Sequence, residues 1–482
     1  MTIKELCIIG TEKTVFDWYE DVMDFLKGEE IEESVIEEYD LVGILIDLKH
    51  PYKLTKQYDK ILELEAVLRE NQKPLFEKME MYLMSDMLPY YCFQKDKKML
   101  SSYVDRYIEN PLQDIDLLFS STRFLIYYNH ADLVEKLNRN IYQIVSDSPK
   151  VWGGNMEMAG ALLLIESQKY YEKYQETGVL DLTELGKDMD KFDYKNDGPL
   201  LAFLNEALQC DYTSDLNQLK TQFKKDREMF LNHLAIYFNR YMHERGISFL
   251  ISGEIWNLII SYWMEENKKQ HNKTNRFFGF KTNTLDRFLA TKGGMFVDYR
   301  MDVFAGLWGA CYLYDFLLSL QLIDQKLHQS FKAFYDKNTK IFTNGGNFNL
   351  WQYSFVHQWS KPDSVKEEVW EKEKQIFLDS FELKKEVSNK PILNPEWYEE
   401  EDEMEKEDIE QIMNTLVGDV LKKPPIVENK EEVATSSTKV KLPRKFGRNE
   451  KVTVRYPDGT VKEAKFKQVQ KDLESEECEL VF

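Results

Sequence analysis

Cysteine is scarce in this chain of 482 residues, and what there is lies scattered: Cys7, Cys92, Cys210, Cys311 and Cys478. An odd total without a Cys-x-x-Cys pair excludes a disulfide framework and a cysteine-built zinc cage, and fits a reducing, cytoplasmic compartment. Glycine (21) and proline (13) are too few for an all-β chain, which turns about every 8–12 residues. Histidine is thin as well. The seven residues at 50, 130, 233, 243, 271, 328 and 357 include no pair at zincin spacing, so no metal or other cofactor is expected.

Positive charge is in deficit: 63 basic against 84 acidic side chains leave a formal net charge of −21. That field repels phosphate backbones and anionic lipid, which disfavours nucleic-acid or membrane-surface binding by the whole molecule. No Walker-type phosphate loop and no G-x-S-x-G elbow occurs, and Gly293-Gly294 is too short a glycine run to cradle a phosphate; it reads as a turn. The opening stretch Leu6-Cys-Ile-Ile9, followed by Glu12, Asp17 and Glu20, is too short and too acidic for a signal peptide.

What the chain has in quantity is core material: 29 Phe, 27 Tyr and 9 Trp in a sequence 43% hydrophobic. From about Thr14 to Tyr174 apolar residues recur at helical spacing. Leu112, Ile115, Leu118, Phe119, Phe124, Leu125 and Tyr128 form one stripe, Asn129-His130 interrupt it, and Leu133, Leu137, Ile141 and Ile144 form the next, the pattern of a helical hairpin. Similar segments run from Pro74 to Cys92, from Lys97 to Ile108 and from Met156 to Tyr174. Asn110-Pro111 and Ser146-Asp-Ser-Pro149 stop one helix and cap the next. The expected fold class is mainly α, as an array of helical hairpins or one irregular helical bundle, with a small β-rich module at the C-terminus.

Four segments follow: a repeat-like helical domain over 1–186, a second helical domain over 200–361, an acidic helix and flexible linker over 362–446, and a basic β module over 447–482. The charged stretch Lys187–Pro199 reads as a surface loop between the first two. In the second domain Val303–Ile323 and Ile247–Met264 are long and apolar enough to span a bilayer. Each carries a carboxylate in mid-segment, Asp315 and Glu254, which costs about 2.5–3.5 kcal/mol on insertion scales, so buried core helices are favoured over spans. The carboxylates then need partners, for which Arg287, Arg300 and His243 are chemically suited. Trp351, Tyr353, Phe355 and Trp359 read as core more readily than as a ligand groove.

Beyond Pro362 the composition shifts. Residues 396–410 carry ten acids against Lys406 as the sole base, and Pro424-Pro425 with the aromatic-free stretch 428–441 reads as a linker. The tail then turns basic, with Lys439, Lys441, Arg444, Lys445, Arg448, Lys451, Arg455, Lys462, Lys465, Lys467 and Lys471. Val452, Val454 and Tyr456 alternate with polar residues as in a strand, and Pro457-Asp-Gly-Thr460 is a hairpin turn signal.

Gly447-Arg448-Asn449-Glu450, followed by Lys465-Phe-Lys467, resembles the opening and the Lys-Tyr-Lys portion of the SEC-C motif, a short tail on the SecA translocation motor and many bacterial accessory proteins. In that family the opening is followed by Pro-Cys-Pro-Cys and later zinc ligands, a structural site for contacting partners such as a chaperone. Here Lys451-Val-Thr-Val-Arg455 stands in that place and only Cys478 is within reach, so zinc does not carry over. The resemblance implies a metal-free variant with a hairpin in place of the zinc knuckle, contacting partners through Arg448, Asn449, Lys451, Arg455, Lys465 and Lys467.

For chemistry, Asp298 and Asp302 stand four apart with Arg300 between them. Paired carboxylates can hold a divalent ion or run acid/base catalysis, although a charge cluster at a helix start is the simpler reading. The expected function is a non-catalytic scaffold that binds proteins through its helical body and tethered basic tail; nucleic acid is open to the tail alone, and membrane is disfavoured. The alternative is an enzyme with a carboxylate/arginine pocket in the 243–302 region, built from Glu254, Asp298, Arg300 and Asp302. A cavity where those side chains converge would favour the enzyme.

Overall fold

Aspartates start several of the helices. Asp96, Asp114 and Asp226 each accept a hydrogen bond from the backbone N–H three residues on, at 3.0–3.1 Å, satisfying a donor that the helix itself leaves open. The computed structural model describes residues 15–149, 151, 153–192, 198–213, 216–266, 273–292, 300–344, 349–383, 451–455, 461–465 and 479–481.

In chain order the first helices are α1 (Val15–Leu26), α2 (Glu33–Glu38), α3 (Leu41–Leu54), α4 (Tyr58–Asn71), α5 (Lys73–Gln94), α6 (Lys97–Glu109), α7 (Ile115–Tyr127), α8 (Ala131–Asp147), α9 (Gly154–Thr177) and α10 (Thr183–Asp190). There follow α11 (Gly198–Gln209), α12 (Leu216–Lys225), α13 (Arg227–His243), α14 (Phe249–Glu266), α15 (Thr274–Phe277), α16 (Thr282–Lys292), α17 (Arg300–Ser319), α18 (Gln325–Asn344), a 3-10 segment (Leu350–His357) and α19 (Glu367–Asp379). The chain is mainly helical. A single hydrophobic core runs through these helices from Tyr19 to Phe377. Helices from before and after the 187–199 stretch share it, since α9 packs on α14 and α7 on both α14 and α17.

The hairpin read from the stripes is α7 and α8, reversed at Asn129, which takes a positive φ of 61°. Two residues assigned to the stripes lie off the core. Leu112 precedes α7 and is 39% exposed; Ile144 is 44% exposed because Leu137, Ile141 and Val145, stacked at four-residue intervals, take the buried face of α8. Lys187–Pro199, expected as a loop, is helical at both ends: α10 continues to Asp190 and α11 begins at Gly198. Leu185 and Met189 lie one turn apart and are buried, while ion pairs Glu184–Lys187 (2.6 Å) and Asp188–Lys191 (2.9 Å) lie on the wet face. Two buried side chains suffice to hold a short amphipathic helix that the surrounding charge conceals.

The two long apolar segments are α14 and α17, side by side in the body. Among the described residues Met301–Ser319 is long and apolar enough to cross a membrane, and 89% of it is buried inside the protein. Asp315, in mid-helix, is answered by His328 (Nε2 to Oδ1, 2.6 Å) and by the backbone N–H of Ser364 at 3.0 Å. The sequence-based partners differ: Arg287 is exposed, and His243 pairs with Glu172 at 3.0 Å. His328 lies thirteen residues downstream of Asp315, brought back by the α17–α18 turn.

Glycine sets how closely α14 is held. A Cβ on Gly309 of α17 would stand 2.7 Å from the Ile255 side chain, and one on Gly253 would stand 2.5 Å from Leu164 of α9. Trp351, Tyr353, Phe355 and Trp359 are buried in the core beside α19. There burial, aided by Lys374, pushes the His357 imidazole down to about 3, so it stays neutral among Trp308, Trp370 and Phe377.

A separate unit contains β1 (Lys451–Arg455), β2 (Val461–Lys465) and β3 (Glu479–Val481), antiparallel in the order β2-β1-β3. Pro457–Thr460 lie outside the described residues, as do the acidic run 396–410 and the 424–441 linker.

Replacing a helix-interior glycine with alanine ordinarily stabilises by about 0.5–1 kcal/mol. At Gly309 the sign should reverse: overpacking against Ile255 costs about 1–3 kcal/mol, and Gly309→Ala should lower the urea midpoint. A raised midpoint would show that α14 and α17 can separate at little cost.

Candidate functional site

In the stretch Leu117–Tyr127 of α7, Arg123 is the sole charged residue. Helical spacing puts it on the same face as Tyr127, one turn on. Both reach the carboxylate of Asp302 in the first turn of α17: Arg123 Nη1 donates to Oδ2 at 2.6 Å and the Tyr127 hydroxyl donates to Oδ1 at 2.8 Å. Asp302 is 6% exposed, and the positive end of the α17 dipole adds to its stabilisation. Burial draws the Arg123 pKa down, but the negative charge of Asp302 outweighs it and the guanidinium stays charged. Burial, reinforced by Asp302, raises the Tyr127 phenol well above its ordinary range, so its proton stays in the hydrogen bond.

This triad forms one wall of a half-open cavity of about 390 Å³. α9 contributes Met156, Glu157, Gly160, Ala161 and Leu164; α14 contributes Glu254, Asn257, Leu258 and Ser261. The two helices run antiparallel here, with Phe249 N–H donating to Gln168 Oε1 at 2.7 Å and Gly253 set against Leu164, so the α14 stripe Glu254, Asn257, Ser261 faces the start of α9. A side chamber of about 30 Å³ shares Arg123, Glu157, Ala161 and Glu254, with room for a water molecule.

Glu254 is the chemically unusual member. Among the described residues it makes no hydrogen bond and no ion pair. Burial pushes its carboxyl up to about 7; Arg123 pulls it back, and Asp302 and Glu157 push it further up. A carboxyl that exchanges its proton near neutrality can donate or accept one there, and such groups concentrate at functional sites.

Of the four pocket residues read from the sequence, Glu254 and Asp302 line this cavity. Arg300 begins α17, and Asp298 lies outside the described residues. The cation on Asp302 is Arg123, 179 residues away and outside the expected 243–302 region. Glu157 and Tyr127 were likewise missed. The available signal was the single charge in the stretch Leu117–Tyr127. Of the tail residues, Arg448, Asn449 and Lys467 lie outside the described residues; Lys451 stands opposite Lys465 in the β1–β2 register, and Arg455 is exposed opposite Val461.

Ionic groups elsewhere tie helices together. Lys49 and Lys53 of α3 both bond Asp86 of α5, and Arg139 of α8 bonds Glu135 (2.9 Å) and Glu166 of α9 (2.7 Å). Among the described residues no group of three or more His, Cys, Asp or Glu side chains is placed to hold a metal ion. In comparisons with known protein families, curated proteins and solved structures, no match to the chain was found.

The folded state binds the Glu254 proton more tightly than the unfolded chain does. Ionising Glu254 therefore costs stability increasingly as pH rises from its ordinary value of 4.5 through about 7. Glu254→Gln should gain on the parent over that window, by up to about 3 kcal/mol at about pH 8, read from urea midpoints at several pH values. A gap that does not change with pH would contradict the raised carboxyl.

Proposed function

We propose that this chain is a non-catalytic cytoplasmic scaffold that binds protein partners through its helical body and through the basic tail. The observation carrying this reading is the cavity between α9 and α14, open to solvent and edged by Met156, an apolar side chain left 75% exposed. An exposed methionine at the edge of a recess suits a partner segment laid between two helices. The ionic groups that hold α3 to α5 and α8 to α9 support the same reading, since they serve cohesion rather than a reaction.

The tail is proposed as a metal-free SEC-C-like β module that contacts partners through Arg448, Asn449, Lys451, Arg455, Lys465 and Lys467. Held by the acidic 362–446 segment, it stays at high effective concentration near whatever the body holds, so two weak contacts act as one. The acidic run 396–410 competes with the partner for the basic tail.

Glu254 favours a second reading, an enzyme of unknown reaction in which its carboxyl is the general acid or base. The two readings separate in affinity capture with the full chain, a chain ending at residue 439 and a Met156→Glu variant, alongside turnover assays on ester, phosphoester and peptide panels. The scaffold predicts proteins retained by the full chain and lost from both variants, with no turnover. Identical capture by all three, or turnover abolished by Glu254→Gln, would overturn it.

A further inference from the structure

The α9–α14 cavity holds more acid than base. Glu157, Glu254 and Asp302 face it against Arg123, and Arg123 is already engaged by Asp302. An anion entering would meet carboxylates and a guanidinium already occupied. A divalent metal would find no cluster of three ligating groups among the described residues, and Arg123 would repel it. The lining is also divided: Met156, Leu164 and Leu258 are apolar, whereas Glu157, Glu254, Asn257 and Ser261 are polar. At about 390 Å³ the space is of small-ligand size.

We infer that this cavity binds an organic cation, a primary ammonium or guanidinium on a short aliphatic stem, with the head on Glu254 and Glu157 and the stem along Leu164 and Leu258. Glu254 supplies the missing counter-charge, since it is the cavity carboxyl without a hydrogen bond or ion pair among the described residues. Asp302 stays on Arg123 and Tyr127 and acts as a positioning residue, holding that guanidinium away from the entering head. The inference rests on the cavity and not on the scaffold reading, whose failure would leave it intact. The same head group occurs on a free amine and on a lysine or arginine side chain of a partner.

Charge on the cavity wall also sets the pH response. Glu254 faces Arg123 and Tyr127 from α7, Glu157 from α9 and Asp302 from α17; α13, also packed on α14, contributes Asn239 bonded to Ser252 rather than a charge. A bound cation favours the ionised carboxyl of Glu254, so binding strengthens as pH rises through neutrality and releases a proton below it.

Calorimetric titration of the full chain tests this with n-butylamine, the peptide acetyl-Gly-Lys-Gly-amide and the neutral n-butanol as probes. Saturable binding is expected for an amine and not for butanol, tighter at about pH 8 than at about pH 6. Glu254→Gln should weaken it by about tenfold or more, the loss of one buried charge-assisted contact. Asn257→Trp, which fills the cavity from its exposed wall and keeps every charge, should abolish it, while Asp24→Asn with Glu29→Gln, exposed acids in and just after α1, which packs on α3 and α4, should leave it unchanged. Binding of butylamine identifies a free amine as sufficient; binding of the peptide alone identifies a side chain as the source. No saturable amine binding, or equal binding by the parent and Glu254→Gln with urea midpoints showing both folded, would overturn the inference.

Discussion

Asp302 is held by two donors that come from one face of α7, a guanidinium and a phenol. Desolvating a carboxylate is expensive, and the cost is offset only when charge and hydrogen bonds are both supplied. Here they are: two oxygens, two donors, and the positive end of a helix behind them. The cavity depends on this pairing. It anchors α7 to the start of α17, and it occupies Arg123, so that Glu254 faces the cavity without a bonded cation among the described residues.

The same constraint, a charge placed among apolar helices, is solved twice on α17 and left open once on the neighbouring α14. Asp315 on α17 is answered by His328 and a backbone N–H. Asp302 is answered by α7. Glu254, on the adjacent α14, is answered by no such bond among the described residues, and its proton affinity rises instead. Close approach accounts for the crowding: glycines at 253 and 309 let α14 sit tightly between α9 and α17, bringing carboxylates from three helices to one recess.

Much of the helical body was legible in the sequence because apolar spacing and proline-marked helix stops are local signals. The α7–α8 hairpin, the end of α6 near Asn110-Pro111 and the burial of Trp351 and Phe355 all follow from residues within a few turns of each other. The helix α10 was hidden because its two buried residues sit in a run of charge. The candidate site was half legible. Glu254 and Asp302 stood out as acids in or beside apolar segments, but their surroundings are long-range: the bond between Arg123 and Asp302 spans 179 positions, and spacing has no means to pair residues so far apart. Asp315 is answered by His328, thirteen residues on and across the α17–α18 turn, rather than by the Arg287 or His243 suggested by side-chain chemistry alone.

The most direct measurement is a double-mutant cycle on Arg123 and Asp302, using Arg123→Met, Asp302→Asn and the pair, with stability read from urea unfolding. If the pair anchors α7 to α17, each single change strands a buried charge or its donors and costs about 3–5 kcal/mol. The double variant should then lose little more than the larger single loss. Additive losses, or single losses below about 0.5 kcal/mol, would contradict the account.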